Sequence, residues 1–244
     1  MNALWIAAAL LAAYLIGSLS FAVLVSRVFG LADPRSYGSK NPGATNVLRS
    51  GSRAAAVLTL ALDALKGYGP VLLVLVYGPR FGLTQSLTET VAAFAGLAAF
   101  MGHLWPVFFR FQGGKGVATA AGVLMAVNPW LGLATLLSFA IIVAFSRYAS
   151  LASIVAAAFA PFYQALIWGV EPTLLALAVM SVLLIWRHEA NIKRLLAGTE
   201  SKLGQKAGVA PPPGAKATLK PQAKSHPKPH PKHHPKHPNK HGHH

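Results

Sequence analysis

An all-α integral membrane protein of seven transmembrane helices, N-terminus outside and C-terminus cytoplasmic, is predicted by three observations. Apolar residues make up 54% of the chain against 11% charged, a balance that suits helices buried in lipid. Long apolar runs alternate with short polar loops. Lys and Arg gather in every second loop, as the positive-inside rule requires.

The first span, Leu4 to Val25, has no positive charge before Arg27 and outruns a signal-peptide core, so it is expected to be retained. The second, Ala54 to Tyr77, carries Asp63 and Lys66 one helical turn apart. The third, Leu87 to Trp105, ends on His103 just before Pro106. The fourth, Val117 to Val127, is stopped by Asn128-Pro129 well short of the ~20 residues that cross a hydrocarbon core of about 30 Å, which leaves a count of five or six open. Trp130 to Phe145, Leu151 to Trp168 and Thr173 to Trp186 complete the set.

Charge placement favours seven. Arg27, Arg35, Lys40, Arg49 and Arg53 lie in the first loop, Arg110 and Lys115 in the third and Arg147 in the fifth. The second loop has Arg80 alone, and the fourth and sixth have no Lys or Arg. All the polar clusters therefore share the cytoplasmic side.

Two domains follow: a membrane domain over 1–204 and a Lys-, His- and Pro-rich tail over 205–244. The tail's composition cannot bury a core, so it is expected to be disordered and cytoplasmic, with an electrostatic attraction to anionic headgroups. It holds much of the formal +16, leaving the membrane domain moderately basic. With no aromatic residue in the tail, nucleic-acid binding is not expected, and the irregular histidine spacing argues against a built metal site. The absence of cysteine excludes disulfides, thiolate ligands and acyl-thioester intermediates on the chain.

Three polar clusters remain. In Gly38-Ser39-Lys40-Asn41-Pro42-Gly43-Ala44-Thr45-Asn46-Val47-Leu48-Arg49, the bland reading is a turn-rich loop. Yet glycine amides can form an anion nest, Ser39, Thr45 and Asn46 add polar groups, and Arg49 and Arg53 sit one turn apart, a set able to hold a phosphate monoester. In Gln112-Gly113-Gly114-Lys115-Gly116-Val117, glycine amides, a helix start and an ammonium could face an anion, but the Gly-x-x-x-x-Gly-Lys-Ser/Thr spacing of a nucleotide loop is missing. The third joins Arg147 to Ser153 with Arg187 to Leu195, where helical spacing aligns His188, Asn191 and Leu195. A basic interfacial anchor would not need His188 or Asn191, so a site is the better reading. Asp63, Lys66 and His103 read as structural or supporting groups, since ionisable residues in a span are normally paired and turned inward.

The strings at 38–49, Gly-His-Leu-Trp-Pro-Val-Phe-Phe at 102–109, Gly-Gly-Lys-Gly-Val-Ala-Thr at 113–119, Ser-Leu-Ala-Ser at 150–153 and Arg-His-Glu-Ala-Asn-Ile-Lys-Arg-Leu at 187–195 resemble the bacterial acyl-phosphate:glycerol-3-phosphate acyltransferases, the PlsY type. The resemblance spans about residues 1–204 and omits the tail. It implies a seven-helix enzyme of the bacterial inner membrane that moves a fatty acyl group from acyl phosphate to the 1-hydroxyl of sn-glycerol 3-phosphate. The products would be lysophosphatidic acid and inorganic phosphate, the first step of phospholipid biosynthesis.

It also implies substrate binding by Ser39, Asn41, Thr45, Asn46, Arg49, Gly113, Gly114, Lys115, Gly116, Ser150 and Ser153, and catalysis by His188, Asn191 and Lys115. No metal and no cofactor are expected. The expected partners are the two substrates, membrane lipid and the enzyme that makes acyl phosphate, with a monomer as the working unit. The base is open between His188 and a substrate phosphate. An acyl-CoA-dependent enzyme is disfavoured, because neither His103 nor His188 begins His-x-x-x-x-Asp. A transporter or scramblase for an anionic lipid-related substrate would need inverted repeats, of which 38–45 and 113–119 give only a faint echo. A purely structural membrane subunit would not need motifs aimed at one face.

Overall fold

Lipid offers no water to a backbone amide, so a spanning segment must satisfy its own hydrogen bonds. The computed structural model describes residues 2–203, and among them every regular element is helical. The expected tail and its boundary with the membrane domain lie outside the described residues.

The first span is a broken pair, α1 (Asn2–Gly17) and α2 (Phe21–Val28), bent by 43°. A short α3 (Ala44–Leu48) lies in the first loop, followed by α4 (Arg53–Tyr77) and α5 (Gln85–Leu104). Then come α6 (Val117–Val127), α7 (Pro129–Ser146), α8 (Ala149–Ile167), α9 (Pro172–Arg187) and α10 (Glu189–Leu196), the last two bent by 55°. Starts are set by local chemistry. Ser52 accepts from the Ala55 amide and Thr84 from the Leu87 amide, while Asn128 accepts from Trp130 with Pro129 at the first helical position. Asn128-Pro129 therefore opens α7 as much as it closes α6.

Each expected span coincides with a helix or a bent pair, but the count by length is lower than seven. Four helices, α4, α5, α7 and α8, are long and apolar enough to cross a membrane, and six spans result if each bent pair counts as one. The eleven residues of α6 cover about 16 Å at the usual helical rise, roughly half the hydrocarbon core. Its placement explains the shortness. A Cβ on Gly67 would strike the Thr119 carbonyl, and one on Gly96 would meet both Val71 and Val123. Thus α6 begins about midway along α4, and the connection 105–116 dips into the bundle before the helix starts.

At the same depth the break between α1 and α2 leaves the Leu19 carbonyl without a helical partner, and Lys66 Nζ donates to it at 2.6 Å. Lys66 also pairs with Asp63 at 2.9 Å, with both side chains almost fully buried. A helix break and an ion pair are thereby satisfied together.

Candidate active site

Where α4, α6, α8 and α10 converge with the first loop, a cavity of about 460 Å³ opens. Of the residues expected at a site, Ser39, Asn41, Thr45, Asn46 and Arg49 line it from the first loop. Lys115 and Gly116 line it from the dipping connection, Ser150 and Ser153 from α8, and His188 and Asn191 from the α9–α10 break. Asp63 and His103 form part of its floor, while Lys66 lies behind them on Asp63.

The first loop divides its labour. Asn46 is buried, and its amide nitrogen donates to the Pro34 and Tyr37 carbonyls at 2.6 and 3.1 Å while its oxygen accepts from the Ser39 amide at 3.0 Å. It holds the loop in shape. Among the described residues the side chains of Ser39, Asn41 and Thr45 make no hydrogen bond, which leaves them available to a ligand. Arg49 donates to Ser201.

The glycine string behaves differently from the expected open nest. Gly113 and Gly114 are buried and do not line the cavity. The Gly114 N–H donates to the His103 carbonyl at 3.1 Å, and Arg187 donates to the Gly113 and Gly114 carbonyls at 2.9 and 3.1 Å. The Gly114 N–H and both carbonyls are thus spent inside the protein. Gly116 takes φ +83 at the start of α6, a left-handed turn that favours glycine, and so turns the chain from the packed glycines into α6. Lys115 is the cation that this arrangement delivers.

Lys115 Nζ donates to Asn191 Oδ1. Burial pulls its pKa down to about 8, with nearby arginines adding to the effect and Glu200 opposing it. Asn191 Nδ2 donates in turn to Glu200 Oε1 at 2.6 Å. His188 Nδ1 lies 2.8 Å from the Leu184 carbonyl, which can only accept, so that nitrogen carries the proton and Nε2 keeps its lone pair. Burial, reinforced by the Lys115 charge, pushes His188 down to about 4, so the ring is neutral near pH 7. His103 Nδ1 sits 3.2 Å from Thr119 Oγ1 and 3.6 Å from Asp63 Oδ1, and the ring packs where a Cβ on Gly114 would fall. It braces the connection from behind.

Sequence reasoning passed over Arg194, Glu200 and Ser201 as site residues. Glu200 accepts from Ser150 Oγ at 2.8 Å and from Arg194 Nε at 2.6 Å in addition to Asn191. Burial alone would raise its pKa, but these hydrogen bonds outweigh it and hold the carboxyl ionised below the usual range. The available signal was an acidic residue, one of two with Glu189, in the basic stretch after Arg187.

Beside the polar cavity runs an apolar groove of about 190 Å³ between α6, α7, α8 and α9, bounded by Leu124, Leu136, Ala157 and Met180. Leu60, Val117, Ala118, Phe139 and Ser153 border both spaces.

Helical spans, a cation-lined cavity and an adjoining apolar groove define a multi-pass membrane protein with room for a polar head and an apolar tail. The glycerol-3-phosphate acyltransferase family matches residues 7–198. A glycerol-3-phosphate acyltransferase of Herminiimonas arsenicoxydans is 60% identical over 194 residues, covering 80% of this chain and 93% of that protein. One from Ralstonia nicotianae is 61% identical over 195 residues, covering 80% and 92%. Among solved structures, PlsY, an integral membrane glycerol 3-phosphate acyltransferase, aligns in its glycerol 3-phosphate form with TM-score 0.74 at 39% identity, over 82% of this chain and 96% of that one. Its lysophosphatidic acid form gives 0.72 at 38%, over 81% and 94%. The chain belongs to the glycerol-3-phosphate acyltransferase family.

Proposed function

We propose that the chain transfers a fatty acyl group from acyl phosphate to the 1-hydroxyl of sn-glycerol 3-phosphate, releasing lysophosphatidic acid and orthophosphate. The observation that carries this reading is a cavity in which Ser39, Arg49, Lys115, Ser150, His188 and Asn191 meet, continuous with an apolar groove. An acyl phosphate needs both environments at once, and its carbonyl would lie near the shared border at Ser153 and Val117. The relatives' names supply glycerol 3-phosphate as the acceptor class, and the PlsY likeness favours acyl phosphate as donor.

Acyl phosphate is already activated, so the protein's task is to position two phosphates and stabilise developing charge. Lys115 and Arg49 supply fixed positive charge, and His188 Nε2 offers an acceptor that orients the hydroxyl. In the transfer a C–O bond forms to the glycerol oxygen, the carbonyl C–O bond to phosphate breaks, and the hydroxyl proton ends on the departing phosphate. At a pKa of about 4, His188 is a weaker proton acceptor than that phosphate, so substrate-assisted transfer fits this site better than a histidine base.

The same proposal includes seven spans with α6 as the short fourth, an outside N-terminus and a cytoplasmic site in the bacterial inner membrane. It also includes an upstream enzyme that makes acyl phosphate and a monomeric working unit. Alternating Lys and Arg support the topology. Single cysteines at Ser52 and at the exposed Val170 should label from opposite sides, and labelling from one side would refute the orientation.

The activity test uses the purified chain with glycerol 3-phosphate. Orthophosphate release with acyl phosphate is the expected result. Acylation with acyl-CoA alone would reassign the donor, and no acylation would refute the reading.

A further inference from the structure

Past α10 the chain turns back at Gly198, φ +67, and Thr199–Leu203 lines the cavity. This segment is tied down at its middle and at its end. Ser201 accepts from Arg49, and the Leu203 N–H donates to the Arg147 carbonyl at 2.7 Å. Just before them the Glu200 side chain, only 7% exposed, reaches three donors from two elements: Ser150 on α8, and Asn191 and Arg194 on α10. Three convergent donors around an acceptor-only group are the construction of an anion subsite. Two of those donors, Ser150 and Asn191, are among the residues that meet in the cavity of the proposed reaction.

The surrounding charge explains why an internal anion belongs there. Arg194, Arg187 and Arg49 all stand close enough to act electrostatically on Lys115. Partly buried cations without an anion are costly, and one carboxylate relieves that cost while the site holds no substrate. A phosphate monoester brings more negative charge and three acceptor oxygens, so it can outcompete the carboxylate for the same donors. A role for Glu200 as general base fits less well, since its oxygens already hold three donors that favour the ionised form. Residues 199–203 also lie past the family match, which ends at 198.

We propose that Glu200 is an internal stand-in for a substrate phosphate, holding the Ser150, Asn191 and Arg194 subsite until a phosphate displaces it and the Thr199–Leu203 strap with it. The affinity of the enzyme for phosphate substrates is then set by this exchange. The subsite itself follows from geometry, and its use in turnover rests on the acyltransferase reading. The ligand chemistry is a phosphate mono- or dianion, whose source is glycerol 3-phosphate, acyl phosphate or orthophosphate.

The full chain and Glu200→Gln are compared in two ways. Orthophosphate alone is titrated by calorimetry, and KM and kcat are measured for each substrate separately. If the strap is closed about nine-tenths of the time, releasing it tightens orthophosphate binding about tenfold, because only the open fraction binds. One substrate KM should fall by a similar factor with kcat held or raised, and which KM moves identifies the phosphate that uses the subsite. Leu203→Pro, which removes the N–H bonded to Arg147 and leaves the carboxylate in place, should act in the same direction more weakly and decides the matter if Glu200→Gln fails to fold. Glu89→Gln, an exposed carboxylate on α5, is the charge-matched control. Unchanged orthophosphate affinity overturns the proposal, as does a fall in kcat with both KM values unmoved, which would make Glu200 part of the reaction machinery. If the wild-type chain turns over neither substrate, the acyltransferase reading fails while the orthophosphate titration still tests the subsite.

Discussion

Two glycine-bearing segments meet at the cavity and use glycine for opposite ends. In the 38–49 loop, Asn46 ties the backbone in place while Ser39, Asn41 and Thr45 keep their side chains toward open space. In the 113–116 connection, Gly113 and Gly114 are packed against His103 and Leu104, with the Gly114 N–H bonded to His103 and both carbonyls to Arg187. One segment makes room, and the other removes room so that a single ammonium is held rigidly. Glycine content alone does not distinguish these uses. The neighbours do.

The largest test of that contrast is Lys115→Ala. If the packed segment exists to deliver this cation, its loss should lower kcat by about 10²- to 10³-fold, the range seen on removing one preorganised donor from a site. Orthophosphate release from the inserted, folded variant measures it, and a change under tenfold would break the comparison. Arg49→Ala, on the open side, should cost about ten- to a hundredfold in kcat/KM, as for a charged hydrogen bond. Arg49→Lys should recover only part, since an ammonium cannot reproduce a forked contact.

The same substitution in each segment sharpens the point. A Cβ on Gly113 would collide with the His103 and Leu104 carbonyls, which are backbone and cannot yield, and would come within 2.6 Å of Pro106 Cδ. Gly113→Ala should therefore destabilise by about 1–3 kcal/mol through overpacking, read as a lower Tm in detergent. On Gly43 a Cβ meets only Asn41 Nδ2 at 3.1 Å, the end of a side chain that can move. Gly43→Ala should stay within about 0.5 kcal/mol of wild type. Equal Tm losses would erase the distinction.

The smallest effect is in pH. On the proposed reading Lys115 binds phosphate as the cation, and its pKa is lowered to about 8 by burial. The charged form is full well below that value and is lost as pH rises through it, so kcat/KM should decline with a midpoint near 8. A folded Lys115→Arg variant, whatever its rate, should lack that decline, because guanidinium does not titrate in this range.

Much of the fold was legible because apolar runs, caps and prolines act locally: the expected Val117 to Val127 span has the bounds of α6, and Asn128-Pro129 marks both of its neighbouring ends. The depth at which α6 begins was not legible, since composition counts apolar residues and says nothing of where the preceding loop lies. The 38–49, 113–116 and 188–191 strings pointed to one cavity and the structure brings them to it, apart from Gly113 and Gly114. Glu200 escaped because its value depends on a distant partner, Ser150, 50 residues away, and the bond from Arg187 to Gly113, 74 residues away, was equally out of reach of local spacing.

The Asp63–Lys66 pair has a consequence for biogenesis as well. A lone Asp or Lys at the centre of a nascent helix costs about 2.5–3.5 kcal/mol on entering the bilayer. Spaced i,i+3 on α4, the two side chains touch within one helix, at 2.9 Å, so the pair is available as soon as that helix winds and before any tertiary neighbour arrives. The translocation machinery then handles a neutral dipole where the sequence spells two ions, and Lys66 can keep its bond to the Leu19 carbonyl for the later step of docking the broken first span.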